Sequence, residues 1–170
     1  AREQGARLGR VTQADYRVQE AVVTGRHAGT AGQDAGPVGQ VVRLRGERGW
    51  DRGGRLSLLG RHQAANGAVA LRILELLGVE EAAIRAGFAG VTWPGRLEPV
   101  QSGDGPLVLL DAAHNPAKCR ALAEAVRELF PGRRVHVLLG VLADKDVAET
   151  VAPLLPLAER VWATTPESPR

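Results

Sequence analysis

The chain has 170 residues, with 22 Lys+Arg against 19 Asp+Glu, one Cys and no Met. At 44% hydrophobic and 24% charged residues, it has the composition of a folded domain and enough length to bury a core. No apolar run approaches the roughly 20 residues of a membrane-spanning helix, no secretory leader opens the chain, and one cysteine excludes an internal disulfide or a cysteine-based zinc site. These readings predict a soluble cytoplasmic protein with no membrane partner.

Residues 1–60 carry 10 Arg against 6 acidic residues, whereas residues 61–170 carry 12 basic and 13 acidic ones. Scattered arginines without aromatic interleaving, in a chain only 4% aromatic, offer no base-stacking platform, so nucleic acid is not an expected partner. The start at Ala1-Arg2-Glu3-Gln4 without a methionine, and the end soon after an apparent strand, predict a segment of a longer protein truncated at both ends.

In chain order, Arg17–Thr24, Gln40–Leu44 and Leu56–Leu59 read as short strands rich in branched residues. His27 lies in the Gly-rich loop that separates the first two. That loop is no phosphate cradle, because a P-loop needs Gly-Lys-Ser/Thr and neither Lys118 nor Lys145 follows a glycine. Arg61–Leu77 reads as an Ala/Leu-rich helix ended by Gly78, and Val79–Phe88 as a second helix with Glu80 and Glu81 at its positive end.

Gly90, Pro94 and Gly95 then break the pattern and set an expected domain boundary near residues 92–98. Beyond it come strand Leu107–Leu110, helix Ala117–Phe130, strand Arg134–Leu139, helix Val147–Leu155 and strand Arg160–Ala163. Such alternation implies an α/β fold with a parallel, helix-covered sheet, although the Rossmann glycine fingerprint is absent.

The strongest local signal is Asp111-Ala112-Ala113-His114-Asn115-Pro116. Asn115 suits an N-cap and Pro116 a first helical position, which puts Asp111 and His114 at the carboxyl end of a parallel strand, where open sheets bind ligands. A carboxylate there can hold ribose hydroxyls and an imidazole can meet phosphate oxygens; both can equally just satisfy turn backbone groups. His62 and Asn66 share a face near a helix start, and Asn66 offers the donor and acceptor that suit an adenine edge, or a capping pair. Arg96, in Trp93-Pro94-Gly95-Arg96-Leu97-Glu98, could reach a phosphate with its planar fork or remain a linker arginine. In Asp144-Lys145-Asp146, Lys145 could meet an anionic substrate or stand beside a helix-capping Asp. Cys119 reads as a small core residue, and neither His27 nor His136 has partners at metal-ligand spacing.

In this order, Gly60-Arg61-His62-Gln63-Ala64-Ala65-Asn66, Pro94-Gly95-Arg96-Leu97-Glu98, Asp111 to Pro116 and Asp144-Lys145-Asp146 together resemble the folylpolyglutamate synthase/dihydrofolate synthase family of Mur-type ligases. The resemblance implies the end of an ATPase-type central domain over residues 1–92, then an incomplete Rossmann-like C-terminal domain over 93–170. It implies an ATP-dependent ligase that phosphorylates a folate or dihydropteroate carboxylate and joins it to the amino group of L-glutamate. Asn66 would then contact adenine, Arg96 the phosphates and Asp111 the ribose, with His114 as the catalytic residue beside the phosphates and Lys145 a further candidate. The P-loop and the magnesium ligands would lie upstream, so this chain alone should not catalyse, and the family implies a monomer. A cell-wall precursor ligase of the Mur type, or a non-catalytic remnant binding domain, are the alternatives.

Overall fold

Alternation puts Gln40, Val42 and Leu44 on one face of a strand, and in the computed structural model all three are buried. The structure describes residues 12, 15–22, 26–27, 39–46, 51–101, 104–140 and 146–164. The chain separates into two compact units, Ala1–Leu109 and Leu110–Arg170.

In the first unit, β1 (Tyr16–Val22), β3 (Gly39–Arg45) and β4 (Asp51–Leu56) form an antiparallel sheet in the order β1-β3-β4. Register runs from Gln40 opposite Leu56 to Arg45 opposite Asp51. Two helices pack on this sheet, α1 (Arg61–Leu76) against β1 and β3, and α2 (Glu81–Gly90) against β4. Ala64, Ala68 and Leu71 recur at helical spacing on α1 and meet Val42, Leu44, Leu56 and Ile84 in one core. A short parallel pair, β2 (Arg26–His27) beside β5 (Glu98–Gln101), shares a second sheet with β6 (Val108–Leu110).

The second unit alternates α3 (Pro116–Leu129), β7 (Val135–Gly140), α4 (Val147–Val151) and β8 (Ala158–Thr164), with a single 3-10 turn at Leu155–Leu157. Strands β7 and β8 are parallel, as the βα alternation requires. Cys119 and Ala123 of α3 are buried with Leu154, and Ala113, Leu122, Leu139 and Leu157 pack around them. His136 and Trp162 sit with ring centroids 5.5 Å apart on the outer side of this pair of strands.

Three expectations need correction. The strand expected at Leu56–Leu59 is Asp51–Leu56 instead; Gly53 and Gly54 lie in paired positions opposite Arg43 and Val42. Residues 57–60 form the entry to α1, stitched to the end of α2 by the Ser57 N–H donating to Phe88 O (3.0 Å) and the Ser57 hydroxyl donating to Ala89 O. Arg26–His27 form a strand rather than a loop, and β5 was hidden behind Pro94, Gly95 and Pro99. Strand β6 shares its sheet with β5 and β2. Among the described residues, no helix is long and apolar enough to cross a membrane.

Candidate functional site

The Asp111–Pro116 segment leads directly from β6 into α3, and its geometry follows from its residue types. Asn115 is extended at φ −148° and ψ 163°, and its Oδ1 accepts the Lys118 backbone N–H at 2.9 Å, the N-cap expected of it. Pro116 occupies the first helical position, where a missing N–H costs nothing. Half-buried Asp111 accepts the Ala113 N–H on Oδ1 at 2.8 Å, which folds the chain back before the helix. Ala113 is packed into the core of the second unit, so the segment is anchored by an apolar side chain between two polar ones.

His114 is exposed, and both of its ring nitrogens are engaged. Its Nδ1 lies 2.9 Å from Ala112 O, and its Nε2 lies 3.2 Å from Lys118 Nζ. A carbonyl only accepts and an ammonium only donates, so the consistent assignment is the neutral ring with its proton on Nδ1. Asp111 thus takes the turn-satisfying role that the sequence left open. Burial pushes the Cys119 thiol above its ordinary pKa, and the nearby Asp111 charge adds to that rise. Cys119 is accordingly an inert core residue, as expected.

In the first unit, α1 begins at Arg61 behind Gly60, whose φ of 94° suits glycine and which gives no side-chain cap. The chain before the helix is tied down from a distance instead. Gln40 is 2% exposed and its Nε2 donates to Leu58 O at 2.8 Å and Gly60 O at 2.9 Å, fixing the entry of α1 to β3. Two turns of that helix carry His62, Gln63 and Asn66; the Asn66 amide donates to Gln63 Oε1 at 3.1 Å, which leaves its own carbonyl oxygen as an acceptor at the exposed surface. Sequence reasoning missed Gln40, although a glutamine on the core face of a strand was the available signal.

Arg96 lies in a tight turn. Gly95 has φ 67° and donates its N–H to Glu98 Oε2 at 2.9 Å, and Leu97 follows at φ 45° while only 1% exposed. Non-glycine residues of that size rarely adopt this conformation, so the turn is held by Leu97 burial. Half-buried Arg96 makes no ion pair or hydrogen bond among the described residues. Asp144 and Lys145 lie outside the described residues, whereas Asp146 caps α4 by accepting the Glu149 N–H at 2.9 Å. The structure therefore brings Asp111, His114, Asn115 and Lys118 together on one loop and helix start, with Asn66 and Arg96 on the first unit. Lys118 was not expected among the site residues; its signal was the spacing of four from His114.

Residues 95–170 match the Mur ligase, glutamate ligase domain family. The dihydrofolate synthase/folylpolyglutamate synthase of Mycobacterium tuberculosis is 42% identical over 139 residues, which are 78% of this chain and 28% of that protein. A crystal structure of folylpolyglutamate synthase from Thermotoga maritima superposes with a TM-score of 0.70 at 28% identity, covering 99% of this chain and 37% of that one. The Mycobacterium tuberculosis folylpolyglutamate synthase complexed with ADP gives a TM-score of 0.69 at 35% identity, covering 93% of this chain and 33% of the other. The chain thus spans about a third of the length of these relatives. The match over residues 95–170 marks that part of the chain as similar to the glutamate ligase domain of Mur ligases. Within that class the chain is similar to folylpolyglutamate synthase/dihydrofolate synthase proteins.

Proposed function

We propose that this chain is the part of an ATP-dependent ligase that holds nucleotide while L-glutamate is joined to a folate or dihydropteroate carboxylate. The observation that carries the reading is the N-terminus of α3, where Asp111, His114 and Lys118 surround a capped helix start that lacks acidic residues in its first turn. The positive end of a 14-residue helix and a cation there favour polyphosphate, and a carboxylate beside them suits ribose hydroxyls. The similarity to folylpolyglutamate synthases, one of them solved as an ADP complex, supports the same assignment.

In the proposed roles, the exposed Asn66 amide meets the adenine edge, Arg96 the phosphates with its planar fork, Asp111 the ribose, and His114 the phosphate oxygens. The reaction proceeds through an acyl phosphate. The substrate carboxylate takes the terminal phosphoryl group and ADP leaves; the glutamate amine then attacks the acyl carbon, loses a proton and expels phosphate. Fixed donors aimed at the phosphates stabilise the charge that builds on them during transfer. Among the described residues no group of three or more His, Cys, Asp or Glu could hold a metal ion, so no step is assigned to magnesium in this part of the protein. We further propose the domain division at residues 92/93, close to the start of the family match at residue 95 and upstream of the Leu109/Leu110 division between the compact units.

The test uses protein expressed from the complete reading frame and follows ADP release with glutamate and either dihydropteroate, a reduced folate or a muramoyl-nucleotide precursor. Turnover with a pterin, lost in Arg96→Ala and Asp111→Ala, supports the proposal. Turnover only with the muramoyl substrate would move the protein to the cell-wall branch. Absence of both turnover and ATP binding would leave a non-catalytic binding domain.

A further inference from the structure

The arginine excess of residues 1–60 takes no part in the nucleotide contacts proposed above, and the antiparallel sheet shows where some of it goes. Val42, Leu44 and Leu56 occupy the core face of β3 and β4. Alternation therefore sends Arg43, Arg45 and Arg55 to the opposite face, and all three are exposed. Exposed Arg17 of β1 stands directly opposite Arg43 in the register. Arg43 is thus the centre of a basic cluster, with Arg17 across the strand pair, Arg45 two residues along, and Arg55 two residues beyond the Gly53 that pairs with Arg43. By register, Glu20 opposite Val41 and Asp51 opposite Arg45 share this face at its two ends, which leaves four arginines to two acidic positions. Like charges directly opposite one another destabilise a strand pair, and Arg17 opposite Arg43 is such a pairing. Local rules of this kind are broken where function requires it.

We propose that this outer face, centred on Arg17 and Arg43, binds the chain of carboxylates on a folate that already carries several glutamates. This rests on the glutamate-ligase reading above. Each glutamate joined in that reaction brings two carboxylates while one carboxylate is consumed in the new amide, so the product gains one negative charge per cycle. A guanidinium meets a carboxylate with two parallel N–H bonds, and a bound polyanion relieves the repulsion between the paired arginines. Arg43 and Arg55 also have partners within the protein; with five N–H donors, a guanidinium can hold such a partner and a ligand carboxylate together. Nucleic acid fits less well, because the described residues of this face include no aromatic ring on which a base could stack.

The experiment uses protein expressed from the complete reading frame and compares wild type with Arg17→Gln/Arg43→Gln and Arg17→Lys/Arg43→Lys. Arg133→Gln/Arg160→Gln, at two exposed positions of the second unit, makes the same change of net charge elsewhere. Titration calorimetry at low and at physiological salt gives affinities for a folate with one glutamate, a folate with five, and a single-stranded oligonucleotide. The expected result is a wild-type preference for the five-glutamate folate, read as the ratio of the two folate affinities. That ratio should shrink roughly fivefold or more in the glutamine variant, since one exposed ion pair is worth up to about fivefold. The lysine variant should keep part of the preference and the second-unit variant all of it, salt should weaken it, and the glutamine variant should melt no lower than wild type. Absence of a wild-type preference, its survival in the glutamine variant, or an equal loss in the second-unit variant overturns the proposal while leaving the ligase reading in place. An oligonucleotide bound more tightly than the five-glutamate folate overturns it in favour of nucleic acid. Wild type that binds neither folate overturns both.

Discussion

Gln40 is a side chain whose loss can be worked through from its contacts. Replacing it with methionine keeps length and volume and removes both donors. The Gly60 carbonyl would lose the amide at 2.9 Å but keeps the Gln63 and Ala64 N–H groups at 3.0 and 3.3 Å, so the cost is that of one hydrogen bond, about 0.5–1.5 kcal/mol. The Leu58 carbonyl is only partly buried, so water can replace the amide and the loss is about 0.5–1 kcal/mol. Against these stands a gain. Gln40 Oε1 is buried without a hydrogen-bond partner, and removing it recovers about 1 kcal/mol of desolvation. The net expectation is a loss of about 0–1.5 kcal/mol. At a urea slope of about 2 kcal/mol/M, a loss of about 1 kcal/mol moves the unfolding midpoint of the first unit down by about 0.5 M. Gln40→Glu, isosteric but without donors and with a charge facing two carbonyl oxygens, should be worse than methionine. Amide exchange should accelerate first in residues 61–64, the opening turn of α1. A net stabilisation by methionine, a glutamate variant milder than methionine, or accelerated exchange elsewhere would refute the account of Gln40 as the strut of that helix.

Gly67 lies inside α1, and an added Cβ would meet Leu44 Cδ1 and Leu56 Cδ2 at 3.6 Å, ordinary contact distance; Gly67→Ala should therefore stabilise by about 1 kcal/mol, read as a higher urea midpoint. Gly39→Ala should do the opposite, because its Cβ would stand 2.8 Å from the Leu56 carbonyl oxygen, a backbone atom that cannot swing away, and the melt of the first unit should shift down. Asn115→Ala removes the cap of α3 and should cost about 1 kcal/mol in the second unit, checked by chemical denaturation, with Asn115→Ser recovering most of it. The raised Cys119 pKa means that the native state keeps its proton longer than the unfolded chain, so its stabilising share is full below the ordinary thiol range and is lost as pH rises through the folded-state value. Urea midpoints measured at increasing alkaline pH should fall less steeply in Cys119→Ala than in wild type.

The second unit was legible in the sequence because each of its elements announces its own ends. Asn115-Pro116 starts α3, Pro131-Gly132 follows its end, and the run of branched residues through Val135 and Val137 reads as strand without any help from tertiary structure. The first unit was harder, for physical reasons. Strand β4 contains two adjacent glycines whose pairing is decided by β3, and β5 contains a proline; neither is strand-like in isolation. Site residues followed the same division. Asp111, His114 and Asn115 carry local signals, and the structure gives Asp111 and Asn115 the turn and cap bonds that those signals predict. Gln40 and Lys118 act on partners 18 to 20 residues away and one helical turn away, respectively, and pattern reading along the chain weighs neither.

The turn around Arg96 has a mechanical consequence. Leu97 holds a left-handed backbone that costs a bulky residue about 1–2 kcal/mol, and its burial returns about 2–3 kcal/mol. The two nearly cancel, so the turn behaves as a loaded latch: its backbone can spring to a relaxed form only by dragging an isobutyl group into water. A guanidinium mounted on such a latch keeps its place for as long as Leu97 stays buried. Trimming the side chain to alanine would leave the strain and remove its counterweight, whereas glycine would remove both and turn a latch into a hinge.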